Sequence, residues 1–237
     1  MSYLTNKGMT IGGYHTYNDF NLIMTDKVIS APEPQLKYVE IPGRNGSIDM
    51  SEVTTGDVRY KDRSITVTFF VKGRESQDWS AFLSRLRNTF HGKKKQIIFD
   101  DDPNYYWVGR SLVEMSASGM NANVTFTITA EPYKRSTTST NERWLWDPFD
   151  FEQEIINQAY QMHVNGTLEF TLIATEGASA LTVISDTAGI TVSDGSTTVT
   201  LVEGTQTIYG IVIHEGENTF TFTGNGIVSI DYSGGSL

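Results

Sequence analysis

Four histidines, His15, His91, His163 and His214, are the side chains best suited to move a proton near neutral pH or to ligate a metal. They lie far apart, and none shares the short spacing that brings two imidazoles onto one ion. His91 sits at the end of a helical pattern and His214 at a strand end beside Glu215, so structural or solvated roles are expected. The run Asp100-Asp101-Asp102 gathers carboxylates as a calcium site does. A calcium loop, however, places its oxygens at alternate positions and adds a later bidentate Glu, whereas Pro103 ends this run. It reads as a hairpin turn with solvated carboxylates. Cysteine is absent, which excludes disulfides and thiolate chemistry. No Gly-x-Ser-x-Gly elbow, phosphate loop or dinucleotide glycine fingerprint occurs. A carboxylate pair for glycoside cleavage is a spatial feature, and nothing singles out an acid and a nucleophile. The sequence thus offers no catalytic, cofactor-binding or metal-ligating residue, and a non-enzymatic protein without cofactor is expected.

The aromatic cluster Trp144-Leu145-Trp146-Asp147-Pro148-Phe149-Asp150-Phe151 has two readings. Trp144, Trp146 and Phe149 can stack on sugar rings or fill a partner's pocket, or they can pack within or between domains. Packing is the favoured reading. Charge is the other functional signal. The net charge is −10, but from Thr140 onward 13 Asp and Glu face a single cation, Arg143. Before that point 17 Lys and Arg stand against 15 Asp and Glu. Such asymmetry predicts two separately built domains, and the acidic half argues against nucleic-acid binding. No apolar run reaches the roughly 18 to 20 residues of a membrane-spanning helix. The first residues lack the basic and apolar stretches of a secretory signal, so folding where the chain is made is expected.

The elements that would carry these residues are mostly strands. Ile65, Val67, Phe69 and Val71 alternate with polar neighbours, which predicts a strand over residues 63–73. Trp79, Phe82, Leu83, Leu86 and Phe90 then form the one convincing amphipathic helical stripe, with Asp78 or Ser76 as cap and Gly92 as stop. Further strands are predicted over 20–24, 36–41, 95–99, 105–115 and 123–131. Ser136-Thr137-Thr138-Ser139-Thr140-Asn141 marks a domain boundary. Beyond it, residues 149–162 carry weak helical character. Strands follow over 167–174, 180–185, 197–202, 207–213, 218–223 and 226–231. Asn165-Gly166, Asp194-Gly195, Glu203-Gly204, Glu215-Gly216 and Gly224-Asn225-Gly226 are read as the turns between them. The expected fold class is mainly β, a β-rich α+β chain whose C-terminal part is an antiparallel sandwich.

The run Val39-Glu40-Ile41-Pro42-Gly43-Arg44-Asn45-Gly46-Ser47-Ile48-Asp49-Met50 reads as strand, Pro-Gly corner, Asn-Gly turn and strand. It resembles the early segment of distal tail proteins (Dit) of long non-contractile-tailed bacteriophages. Three features agree in order: the strand 65–71 followed at once by the helix, the strand Ile97-Ile98-Phe99-Asp100 leading to Tyr105-Tyr106-Trp107, and the closing strand before Glu131-Pro132-Tyr133-Lys134-Arg135. The resemblance covers residues 1–135 best. It implies a ring-forming, tail-tube-like β-sandwich domain over 1–135, a linker over 136–148 and a galectin-like β-sandwich over 149–237. It also implies a homohexameric ring at the distal end of the tail, made in the host bacterial cytoplasm and carried in the virion. Implied partners are the tail-tube protein above, the tail hub below and a receptor-binding protein, with double-stranded DNA only passing through the channel and no membrane. Longer family members carry inserted carbohydrate-binding modules, for which this chain has no room. Pro42, Gly43, Arg44, Asn45 and Gly46 are then expected at the subunit interface. The competing function is a carbohydrate-binding adhesin of the tail tip, acting through the second domain. A cell-wall hydrolase ranks below both.

Overall fold

The computed structural model describes residues 8–53, 56–73, 78–142, 159–175 and 179–237. The chain is mainly β and antiparallel. It divides into two compact units, one drawn from Met1–Glu33, Tyr60–Lys134 and Leu237, the other from Pro34–Arg59 and Arg135–Ser236.

The first unit contains β1 (Met9–Ile11), β2 (Tyr14–His15), α1 (Thr16–Phe20) and β3 (Ile23–Ile29). The chain then leaves it for the hairpin β4 (Tyr38–Glu40) and β5 (Ser47–Asp49), which belongs to the second unit. It returns with β6 (Arg63–Lys72), α2 (Trp79–Phe90), β7 (Lys94–Phe99), β8 (Asp102–Ser118) and β9 (Asn121–Ala130). These strands pair in the order β2-β1-β7-β8-β9-β6-β3. Alternation in β6 decides the geometry: Ile65, Val67 and Phe69 are fully buried, while Thr66, Thr68 and Phe70 lie on the other face, only partly exposed except at Ser64 and Lys72. Helix α2 starts where the Asp78 side chain accepts the Ala81 N–H at 3.0 Å, and it buries Leu86 and Phe90. Phe126 of β9 meets Phe69 and Phe90 edge-on, each at 5.5 Å, so helix and sheet share one aromatic core. A buried side chain of this size contributes about 1.5–3 kcal/mol.

Three expectations change in this unit. The five-residue helix α1 occupies Phe20, where the apolar pattern predicts a strand; His15 caps the helix by accepting the Asn18 N–H, and left-handed Asn21 (φ 54°) ends it. The strand β3 consequently starts at Ile23 and runs on to Ile29. Strand β8 begins at Asp102, so the aspartate turn is tighter than the run of polar residues implies.

The short β10 (Lys134–Ser136) leads into the second unit, which continues with β11 (Met162–Ala174), β12 (Ser179–Ser185), β13 (Thr191–Ser193), β14 (Thr198–Thr200), β15 (Gly204–Ile213), β16 (Gly216–Ile230) and β17 (Gly235–Ser236). Five of these pair in the order β14-β13-β16-β12-β15, and β11 pairs with β16. Leu172, Leu181, Val192, Ile211, Phe222, Val228 and Ile230 are fully buried in this unit's own core. Asn165-Gly166 and Gly224-Asn225-Gly226 are not turns. They face one another inside the long antiparallel pair of β11 and β16, with Asn165 opposite Asn225 and Gly166 opposite Gly224. Glycine on both strands lets the ladder bend without ending, since backbone angles such as the +81° of Gly166 cost it little. Asp186 approaches closely there: its carboxylate accepts the Ile227 N–H at 2.8 Å, and a Cβ on Gly226 would lie 2.8 Å from its Oδ1. That Ile227 hydrogen bond, with one from the Thr187 hydroxyl, holds the Asp186 carboxyl below its usual range. Of the helix expected over 149–162, residues 149–158 lie outside the described residues, and Met162 already begins β11.

Candidate interaction surfaces

The residues able to do chemistry are dispersed by the fold. Asp100 accepts the Gly8 N–H at 2.6 Å and meets His15 Nε2 at 3.1 Å. Asp101 pairs with Lys27 at 2.6 Å, and Asp102 with Lys134 at 2.8 Å. Asp101 and Asp102 are therefore ion-paired and Asp100 is hydrogen-bonded, rather than merely solvated, because successive residues at a tight turn point in different directions and each meets its own partner. Among the described residues no group of three or more His, Asp or Glu could hold a metal ion. His15 Nδ1 accepts the Asn18 N–H, so its Nε2 carries the proton it donates to Asp100. His91 Nδ1 likewise accepts the Val113 N–H at 3.1 Å. These are structural imidazoles.

The hairpin β4–β5 has a different character. Backbone hydrogen bonds define it: the Arg44 N–H donates to the Ile41 carbonyl at 3.2 Å, and the Met50 N–H to the Lys37 carbonyl at 2.8 Å. Gly43 and Gly46 take left-handed φ values of +84° and +81°, and no atom lies within 4 Å of where a Cβ would sit on either. Their need is conformational, not steric. Asp49 closes the base by accepting from the Ser51 hydroxyl and the Ser51 N–H, and these two bonds hold its carboxyl below the usual range. No described residue from 34 to 59 joins either hydrophobic core. Instead Leu36, Tyr38, Val39, Ile41, Val53 and Val58 are 40–68% exposed. A side-chain bond from His214 Nδ1 to Asp57 Oδ2, at 2.8 Å, ties the segment within its unit. Thus Pro42, Gly43, Arg44, Asn45 and Gly46 stand together on one exposed loop. Trp144, Trp146 and Phe149 lie outside the described residues.

Two features are not evident from the sequence reading. Opposite β12, strand β15 steps from Ile208 to Val212 while its partner steps only from Leu181 to Ala180. The bulge buries Ile211 and thrusts out Tyr209, 84% exposed. The pair Tyr209-Gly210 inside an otherwise β-branched run is the available signal. The second is Arg63, only 6% exposed, whose guanidinium lies 4.8 Å from the centre of the Trp107 ring. Its signal is parity: Arg63 shares the inward spacing of Ile65, Val67, Phe69 and Val71.

Comparison with known proteins agrees with this architecture. Residues 12–130 match the family described as phage tail protein RIFT-related domain. The chain also resembles the crystal structure of the Dit protein of phage SPP1, described as a paradigm of the hub adsorption apparatus in phages that infect Gram-positive bacteria. That likeness has a TM-score of 0.62 at 14% identity and covers 98% of this chain and 99% of that one, so it is a likeness of fold. No curated protein matches the chain.

Proposed function

This chain belongs to the phage tail protein family of the RIFT-related domain, and from that premise we propose that it is the distal tail protein of a siphophage. In this reading six copies form a ring at the virion's tail tip. The ring joins the tail-tube protein above to the hub below, offers its outer surface to a receptor-binding protein, and lets double-stranded DNA pass without holding it. Its work is structural rather than enzymatic.

The observation that carries the ring is the segment 34–59. Six exposed apolar side chains on a segment whose described residues join neither core are costly for an isolated monomer, and burial against another copy removes that cost. The loop Pro42 to Gly46 is then the leading edge of the contact. A closed ring is the assembly expected when one patch meets a different patch on the next copy. Light scattering and electron microscopy of the purified chain test this. Six-membered rings are expected, and a chain that stays monomeric at high concentration overturns the reading. A glycan-binding role through the second unit has one observation in its favour, the exposed ring of Tyr209, suited to stacking on a sugar face. Binding of purified cell-wall glycan, lost in Tyr209→Ala, would establish it.

A further inference from the structure

Along the hairpin of β7 and β8, three cations lie over aromatic rings of the first unit. The Lys27 ammonium is 4.5 Å from the centre of Phe99, the Lys134 ammonium 4.1 Å from that of Tyr105, and the Arg63 guanidinium 4.8 Å from that of Trp107. Two of the three are closed by a carboxylate, Lys27 by Asp101 and Lys134 by Asp102. Arg63 is the most deeply placed, at 6% exposure, and its Nε and Nη2 are buried with no hydrogen-bond partner among the described residues. Its neighbours across the sheet are Ala130 and, one strand further, Gly109, so the flanking strands supply no side-chain acceptor in its row.

A buried guanidinium left in this state is expensive. Cation and ring attract each other, but the ring satisfies none of the five N–H groups. Burial pushes Arg63 below its ordinary pKa, and no carboxylate among the described residues offsets it. An apolar residue of similar length would serve the core better, because an unpaired buried charge costs more than the hydrophobic contact it replaces. The chemistry that closes the two companion sites is a carboxylate, and a guanidinium takes one in a two-pronged fashion. The chain holds such groups in excess, with 28 Asp and Glu against 18 Lys and Arg and 13 of the acids beyond Thr140.

We propose that Arg63 is the socket for a carboxylate supplied by a second copy of this chain, closed only on assembly. The inference rests on the ring reading and adds to it a specific contact outside the segment 34–59.

Arg63→Met and Arg63→Lys in the full chain test this. Two quantities are read: the melting temperature in dilute solution, where the chain is monomeric, and the concentration dependence of assembly by light scattering at two salt concentrations. Arg63→Met is expected to melt at or above the wild-type temperature, since it removes an uncompensated charge. Its assembly is expected to weaken by about tenfold or more, with a smaller dependence on salt. Arg63→Lys keeps the charge without the fork and is expected to melt like wild type and assemble at an intermediate concentration. Wild-type assembly in both variants overturns the socket while leaving the ring intact. A monomer that melts several degrees lower in both overturns it too, because Arg63 is then a core residue only. If Arg63→Met does not fold, Arg63→Lys decides alone. Wild-type chain that never assembles overturns the ring reading, and the socket with it.

Discussion

Strand β6 and the hairpin β4–β5 are built from similar residues, yet they are held in opposite ways. In β6 every second residue enters a core, and Phe69 and Val67 are locked by packing against β9 and α2. In the hairpin Tyr38, Val39 and Glu40 are all exposed, and the shape comes from two left-handed glycines and a ladder of short-range hydrogen bonds. The first element is stabilised by what it buries, so its sequence follows burial. The second is stabilised by local geometry, so its apolar side chains are free to be buried by something else.

The contrast breaks most sharply at Phe126. It is the ring through which β9 touches both Phe69 and Phe90, and it is fully buried. Phe126→Ala is expected to cost about 3–5 kcal/mol, lost contacts plus the cavity left behind. Hydrogen exchange locates the effect: amides of β6, β8 and β9 lose protection, while those of the hairpin and of the second unit do not change. Loss of hairpin protection to the same degree would show that the two elements are one cooperative structure.

The next effect in size tests the hairpin from its own side. Gly43→Val and Gly46→Val place a branched side chain at φ values of +84° and +81°, at a local cost of roughly 1–2 kcal/mol each. Because no described residue of 34–59 reaches a core, the melting of the monomer is expected to move little while assembly is strongly impaired. Light scattering at matched concentrations checks this. Normal assembly in the double variant reduces the segment to a family feature.

How far the sequence discloses all this follows from the same contrast. Where period-two or period-3.6 patterning feeds a core, the strands 63–72 and 121–130 and the helix Trp79–Phe90 are legible almost to the residue. Legibility fails where one residue type serves two geometries. Asn-Gly and Gly-Asn-Gly, sound turn signals on their own, lie within two long paired strands once they face each other, and facing is a non-local fact. Helix α1 is too short for periodicity to show, and its cap is a histidine, which lies outside the usual capping set. The turn of the hairpin β4–β5 is local and legible, but its tether is not, since Asp57 and His214 are distant in sequence. Arg63 is written in plain alternation, yet its place at a strand end hides it among residues that usually reach solvent.

The smallest expected effect lies at the base of the hairpin and has a definite sign. The Asp49 carboxyl is held below its ordinary 3.8 by the Ser51 hydroxyl first and the Ser51 N–H second. A carboxyl with a lower pKa folded than unfolded stabilises the folded form fully above the unfolded value. That contribution fades as pH falls through the lower, folded one. At neutral pH the hairpin base is therefore intact, and lowering the pH below about 3.8 releases Ser51 before any core residue is affected. Asp49 is exposed, so the stability of the whole chain is expected to stay almost flat across this step, and only a local probe sees it. An NMR titration of the Ser51 amide should show a midpoint below 3.8 that is absent in Asp49→Asn. A midpoint at or above the ordinary value would mean that the hairpin base is open in solution.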